Sequence, residues 1–338
     1  MTINFASRLE MRPTLFLKIV GISAEQFREL LPTVRREVKV QEKERKRLTV
    51  RGNHPRQRTI GGGKQFSMSV ENRVVLTLVY IRMYTSYDFL SLFFGDIGKS
   101  TISTNIGMMR KVLEVVLPTP EKVSRRVFSL TSIDGSRREK RITSIEDLAT
   151  VLPELVVLID GVEQPKRKPK DSVKRKSQYS GKKKRHCLKQ IITTTPENLI
   201  VEQSGVYDGS EHDITCYRSH LGSDRSCIQD DEYYRITRRY DSGFIGLQEK
   251  DVGGQIIITK KSLRNRPLSA EDKKLRAEHS RKRVAIEHTI GRKKKYRIMS
   301  DLYRNHDSLY EQYSTIVAGI VNLRRISKIE QSIGVSFF

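Results

Sequence analysis

Leu155-Val156-Val157-Leu158-Ile159-Asp160-Gly161 is the stretch on which the reading of this chain turns. Its unbroken apolar run, rich in β-branched residues, predicts a strand buried on both faces. The run stops at an acid and a glycine. A strand of this kind belongs in the middle of a sheet covered by helices, so the second half of the chain is expected to be α/β.

The residues that follow keep to that pattern. His186–Thr195 predicts a second strand, Pro196-Glu197-Asn198 a turn, and Leu199–Val206 a third strand. His212–His220 begins a helix. Ile236–Tyr240 predicts another strand, ending in Asp241-Ser242-Gly243-Phe244, and Gly254–Thr259 a fifth. Ser269–Lys295 predicts a long polar helix, with Ser269 as N-cap and Asp272 at the third position. A last helix, Tyr310–Lys328, carries Ile316, Val317, Ile320, Val321 and Leu323 for a core face.

Upstream, the periodicity is helical. Ser23 and Gln26 form a capping pair ahead of a helix over Ile22–Leu31. The Lys/Arg-rich stretch 35–67, with Gly61-Gly62-Gly63, is expected to be a basic, mobile arm. Val70–Tyr84, Tyr87–Phe94 and Ser100–Leu117 predict three helices, the last two joined by Gly95-Asp96-Ile97-Gly98-Lys99. A short helix, a glycine turn and a helix opening on small polar residues describe a helix-turn-helix. Ser100, Thr101, Ser103, Thr104 and Asn105 are of types that bond base edges or phosphates, or that simply cap a helix in a small bundle. Pro118 and Pro120 stop this helix, and Ser144–Thr150 suits a further short one, with Thr143 as N-cap. The expected organisation is an N-terminal helix and basic arm (1–67), a helix-turn-helix domain (68–120), a connector (121–152) and an α/β domain (153–338).

Charge points to the partner. The 338 residues hold 64 Lys and Arg against 39 Asp and Glu, a formal charge of +25. That excess argues for a polyanion, with nucleic acid first. Runs such as Val74–Ile81 and Ile316–Leu323 fall far short of the ~20 residues a spanning helix needs. The first residues, Met1–Pro13, have no long apolar segment of the secretory kind. Three cysteines without CxxC spacing fit a reducing cytoplasm and carry no zinc signature. Between Pro165 and Lys189 stand twelve Lys or Arg and one acid, Asp171. With Tyr179-Ser180-Gly181 interleaved, this run, including Lys182, Lys183, Lys184 and Arg185, suits a surface that tracks a phosphate backbone; a solvated charged face and a localisation signal are the other readings.

The chemistry rests on three acids. Asp160 and Asp241 both follow strands, and carboxylates at the ends of adjacent strands can converge. Each alone also suits a turn residue. Glu287 lies in Arg283-Val284-Ala285-Ile286-Glu287-His288-Thr289-Ile290-Gly291-Arg292-Lys293-Lys294. On a helix, Arg283, Glu287 and Lys294 return to nearly one face, which Ile290 shares. Three carboxylates with open positions suit Mg²⁺ or Mn²⁺. Two such ions can activate a water or a 3′-hydroxyl and stabilise the leaving oxygen at phosphorus. His186, His212 and His288 are read as hydrogen-bonding or packing residues.

From Leu155 to about Asn305 the sequence resembles the catalytic domain of DDE-superfamily transposases of bacterial insertion sequences. The pieces are Ile159-Asp160-Gly161-Val162-Glu163, Tyr179-Ser180-Gly181-Lys182-Lys183-Lys184-Arg185-His186, Gly209-Ser210-Glu211-His212-Asp213, Asp241-Ser242-Gly243-Phe244, Arg283-x3-Glu287-x6-Lys294, then Arg297-Ile298 and Tyr303-Arg304-Asn305. The helix-turn-helix is similar to the DNA-binding module that precedes this domain. The resemblance implies a ribonuclease-H-like mixed sheet with flanking helices behind an all-α helix-turn-helix domain. It implies Asp160, Asp241 and Glu287 as catalytic metal ligands, with Asp213 the alternative second acid, and Arg283 and Lys294 as cations at the DNA. It further implies metal-dependent cleavage at terminal inverted repeats and strand transfer into target DNA, by a homodimer on DNA in the bacterial cytoplasm at the nucleoid. Ser280 departs from the Tyr that the family often places three residues before the Arg. A non-catalytic helix-turn-helix regulator and a related-fold endonuclease that cuts without joining are the alternatives.

Overall fold

The computed structural model describes residues 5–49, 68–131, 156–223, 237–247, 255–260 and 268–333. It divides into two compact units: Met1–Leu117 with Tyr296–Ile298, and Pro118–Lys295 with Met299–Phe338.

The first unit is helical: α1 (Phe5–Glu10), α2 (Pro13–Val20), α3 (Ala24–Thr49), α4 (Val70–Met83), α5 (Tyr87–Phe93) and α6 (Lys99–Val116). The capping pair forms as expected. Ser23 Oγ accepts from Gln26 N at 3.1 Å, and Gln26 Oε1 accepts from Ser23 N at 3.0 Å. Helix α3 then runs on through the Lys/Arg/Glu-rich residues to Thr49, where a mobile arm was expected from residue 35. Long charged side chains lose little freedom in a helix, so the run propagates. Residues 50–67 lie outside the described part. Helix α4 is buried from Asn72 to Ile81, and it starts on Ser69, whose Oγ accepts from Asn72 N at 3.2 Å. Gly95, at φ +89°, lies in the turn between α5 and α6, a conformation suited to glycine. Ile102, Ile106, Met109 and Leu113 are the buried face of α6.

The second unit opens on α7 (Pro120–Thr131). Pro120 begins this helix rather than ending the previous one. At the first helical position its missing N–H costs nothing. The expected helix at Ser144–Thr150 lies outside the described residues, as do Leu155 and Gly254. Next come β1 (Val156–Pro165), α8 (Ser172–Ser177), β2 (Tyr179–Ser180), β3 (Arg185–Thr194), β4 (Ile200–Gln203), β5 (Tyr207–Asp208), α9 (Asp213–Leu221), β6 (Thr237–Tyr240), β7 (Gln255–Ile257), α10 (Ala270–Lys294) and α11 (Tyr310–Ile333).

The sheet is mixed, in the order β2-β3-β1-β6-β7. Strand β1 pairs antiparallel with β3 from Leu158↔Thr194 to Pro165↔Cys187, and parallel with β6 from Val156↔Thr237 to Ile159↔Tyr240. Along the other edge of β3, three short strands pair in turn: β2 at Arg185–His186, β5 at Leu188–Lys189 and β4 at Ile192–Thr194. Val157, Ile159, Ile191, Val201, Tyr217, Tyr240 and Phe244 build the core with Ile326 of α11. Each such side chain contributes about 1.5–3 kcal/mol when fully buried. Asn322 of α11 is buried and satisfied: its Oδ1 accepts from Ile200 N at 2.8 Å, and its Nδ2 donates to Ile200 O at 2.9 Å and Pro118 O at 3.1 Å. The α/β class with helices around a mixed sheet is as expected. One detail differs: β1 does not stop at Asp160 but continues five residues further, to Pro165.

Candidate active site

Strands β1 and β6 run side by side and in the same direction, and their last register pair is Ile159↔Tyr240. Asp160 and Asp241 are the next residue on each, so the two carboxylates emerge at one end of the parallel pair. Asp160 Oδ1 accepts from Gly161 N at 2.8 Å. Asp241 Oδ1 accepts from Ser242 N at 2.6 Å and caps the short 3-10 turn Ser242–Phe244.

Arg283 of α10 joins them. Its Nη2 lies 3.2 Å from Asp160 Oδ2 and its Nη1 3.7 Å from Asp241 Oδ1. The guanidinium is buried, and its Nε and Nη2 make no hydrogen bond of normal geometry. Charge, rather than a bidentate fork, holds it there. Burial raises the Asp160 carboxyl above its ordinary pKa; Arg283 pulls it down, and Asp241 and Asp213 push it up.

Asp213 is the third acid in this neighbourhood. It begins α9, and its Oδ1 lies 3.0 Å from Lys189 Nζ. Glu287 is placed differently. It is exposed, one turn along α10 from Arg283, and among the described residues no three His, Cys, Asp or Glu stand together as a metal-holding group. Asp160 and Asp241 thus share Arg283, Asp213 pairs with Lys189, and Glu287 stands exposed on α10. A divalent ion still suits the donors present. Mg²⁺ is commonly held by one or two carboxylates plus water and substrate phosphate, and Asp160 and Asp241 already share one positive charge.

Residues 159–322 match the family described as DDE superfamily endonuclease. That match takes in just under half of the 338 residues. It is also similar, at 24% identity over 322 residues, to a probable transposase for insertion sequence element IS702 from Microchaete diplosiphon, with 95% of this chain and 98% of that protein covered. No solved structure matches it.

The remaining expected residues take clear positions. Lys182, Lys183 and Lys184 are exposed in the turn between β2 and β3, and Arg185 is exposed where β3 starts. His186 packs edge-on against Tyr179, at 5.4 Å between ring centres. Lys294 and His288 are exposed at the C-terminal half of α10, whereas Arg283, expected beside them, is turned inward. On α6, Ser100, Ser103 and Thr104 are exposed and Thr101 half-buried. Asn105 is buried, its Nδ2 donating to Thr101 O at 2.8 Å, so it serves the helix. Sequence reasoning missed Lys189, a buried lysine, and Lys293, which is fully buried and donates to Gln203 Oε1 at 2.8 Å and Ser314 Oγ at 2.6 Å. Burial depresses the Lys293 amine to about 7. Neither had a signal beyond its place in a basic run.

Proposed function

We propose that this protein is a metal-dependent transposase that cuts DNA at the terminal inverted repeats of its own element and joins the freed 3′-hydroxyl to target DNA. The observation that carries the reading is the pair of aspartates, Asp160 and Asp241, each one residue past the last parallel register pair of β1 and β6, and on one guanidinium. Residues 153–338 would form the catalytic, ribonuclease-H-like domain. In it Asp160 and Asp241 would hold Mg²⁺ or Mn²⁺, as one ion or two, with Glu287 as the third acid. The chemistry supplied by bound metal would be Lewis-acid activation of a phosphate and of a water. The chain's own residues would supply the rest: the two acids would hold the metal in place, and Arg283 offsets their charge.

DNA binding is assigned to two surfaces. Residues 68–120 form a helix-turn-helix in which Ser100, Thr101, Ser103 and Thr104 face the duplex. The turn Lys182–Arg185, with Lys294 of α10, follows the phosphate backbone. Synapsis of two DNA ends calls for a homodimer on DNA, in the bacterial cytoplasm at the nucleoid. Among the described residues no helix is long and apolar enough to cross a membrane.

The test uses linear DNA carrying the ends of the element that encodes the chain. With Mg²⁺ or Mn²⁺ the wild type should nick at those ends and join them to a plasmid. Binding without cleavage would support the regulator alternative; cleavage without joining, the endonuclease.

A further inference from the structure

Two glycines follow the two central acids: Gly161 directly after Asp160, and Gly243 two residues after Asp241. Neither has a positive φ, so neither is needed for a left-handed backbone. What glycine supplies is space, and the same side chain fills it at both places. A Cβ on Gly161 would stand 2.9 Å from Asp213 Oδ1 and 3.0 Å from its Cγ; one on Gly243 would stand 3.3 Å from Asp213 Oδ2. The Asp213 carboxylate is thus pressed between the backbones that carry Asp160 and Asp241.

Its own placement is firmly set. Lys189 Nζ donates to the Glu211 carbonyl and lies 3.0 Å from Asp213 Oδ1. Gly209 starts the segment so close to β3 that a Cβ there would meet the carbonyls of Gln178 and Cys187 at 2.7 and 2.8 Å. Ser210 N donates to Ser177 O at 3.0 Å, and Glu211 Oε1 accepts from Asp208 N at 3.0 Å. Every residue of Gly209-Ser210-Glu211 therefore anchors the loop that delivers Asp213.

We propose that Asp213 is a positioning residue of the metal centre: held by Lys189, its carboxylate is the wedge against which Gly161 and Gly243 seat, and it thereby fixes the spacing of Asp160 and Asp241. The proposal rests on the reading of those two aspartates as metal ligands. Residues that orient ligands in this way typically change metal affinity by roughly 10- to 100-fold when removed.

The test is Mn²⁺ binding to the full-length protein, followed by electron paramagnetic resonance of the free ion, with the thermal midpoint recorded for each variant. Asp160→Asn should abolish the site. Asp213→Ala should weaken it roughly 10- to 100-fold, while the isosteric Asp213→Asn, which keeps the wedge, should weaken it far less. Gly161→Ala should weaken binding in the wild type but add little in the Asp213→Ala background, where its Cβ meets no carboxylate.

Equal losses in Asp213→Asn and Asp213→Ala would overturn the proposal in favour of a ligand. Wild-type affinity in Asp213→Ala, or a Gly161→Ala effect that is the same in both backgrounds, would also overturn it. Should Asp213→Ala not fold, wild-type affinity in Gly161→Ala alone overturns it. Unchanged binding in Asp160→Asn would bring down the metal reading and this proposal together; loss there with none at Asp213 brings down this proposal alone.

Discussion

Arg283 Nη2 sits 3.2 Å from Asp160 Oδ2, and the same guanidinium reaches Asp241. A buried cation between two carboxylates that stand just past the parallel pairing of β1 with β6 marks where positive charge belongs in this domain. Removing one member of such a set leaves an uncompensated charge, which is costlier than losing an exposed pair.

Asp160→Asn and Asp241→Asn should each abolish metal-dependent cleavage while preserving DNA binding. The expected loss exceeds the roughly 10²–10³-fold that removal of one transition-state hydrogen-bond donor costs. Single-turnover cleavage beside a gel-shift measurement checks this, and near-normal cleavage by either variant would remove that acid from the centre.

Arg283→Met should move the acid limb of Mn²⁺ binding to higher pH. Asp160 is already raised by burial and by Asp241 and Asp213, and Arg283, ahead of the Gly161 N–H, is the larger of two influences that hold it down. Protons and metal compete for the carboxylate, so the variant must reach a higher pH before it binds. Mn²⁺ titrations across pH 4–8 (about the range where a raised carboxyl titrates) decide the sign; a limb that stays in place refutes it.

Lys293→Met should flatten the stability profile above neutrality. The folded-state amine, at about 7, lies below its ordinary value of 10.5. The unfolded chain therefore binds more protons between these values, and wild-type stability rises with pH across that window. Below it the cost of burying the charge is fully present. Thermal midpoints at several pH values from neutral upward should climb in the wild type and climb less in the variant; parallel slopes would show that Lys293 is not the titrating group.

Replacing Lys182, Lys183, Lys184 and Arg185 together by Ala should make DNA affinity less salt-dependent, lowering the slope of log affinity against log salt by about 3–4 if each meets a phosphate. Ser100, Ser103 and Thr104 changed to Ala should instead alter preference among sequences with little change in that slope. Fluorescence anisotropy over a salt series separates the two, and an unchanged slope in the basic variant would exclude the turn from the DNA path.

Much of this architecture was legible because its signals are local. The caps Ser23 and Ser269 mark helix starts, and the apolar runs mark strands covered on both faces. What escaped has a common cause. After Ile159 strand β1 loses its parallel neighbour β6 and keeps only β3, so its pattern changes from a continuous apolar run to alternation at Val162, Glu163 and Gln164. Read alone, that change looks like an end. Arg283 is expected from the sequence beside Glu287 and at the DNA; helical periodicity cannot reveal that acids from β1 and β6 meet it instead. The Gly209–Asp213 segment was recognisable as a motif, but its purpose lies in packing against two glycines far away in sequence.

The parallel pairing of β1 with β6 also sets a timetable. Asp160 leaves the ribosome well before Asp241, and a parallel neighbour cannot be supplied by a hairpin. Non-local strand pairing forms late because the intervening chain must first be closed. A nascent or truncated chain that lacks β6 would hold one acid of the pair, so the Asp160–Arg283–Asp241 cluster would be withheld until synthesis has passed both the second strand and α10.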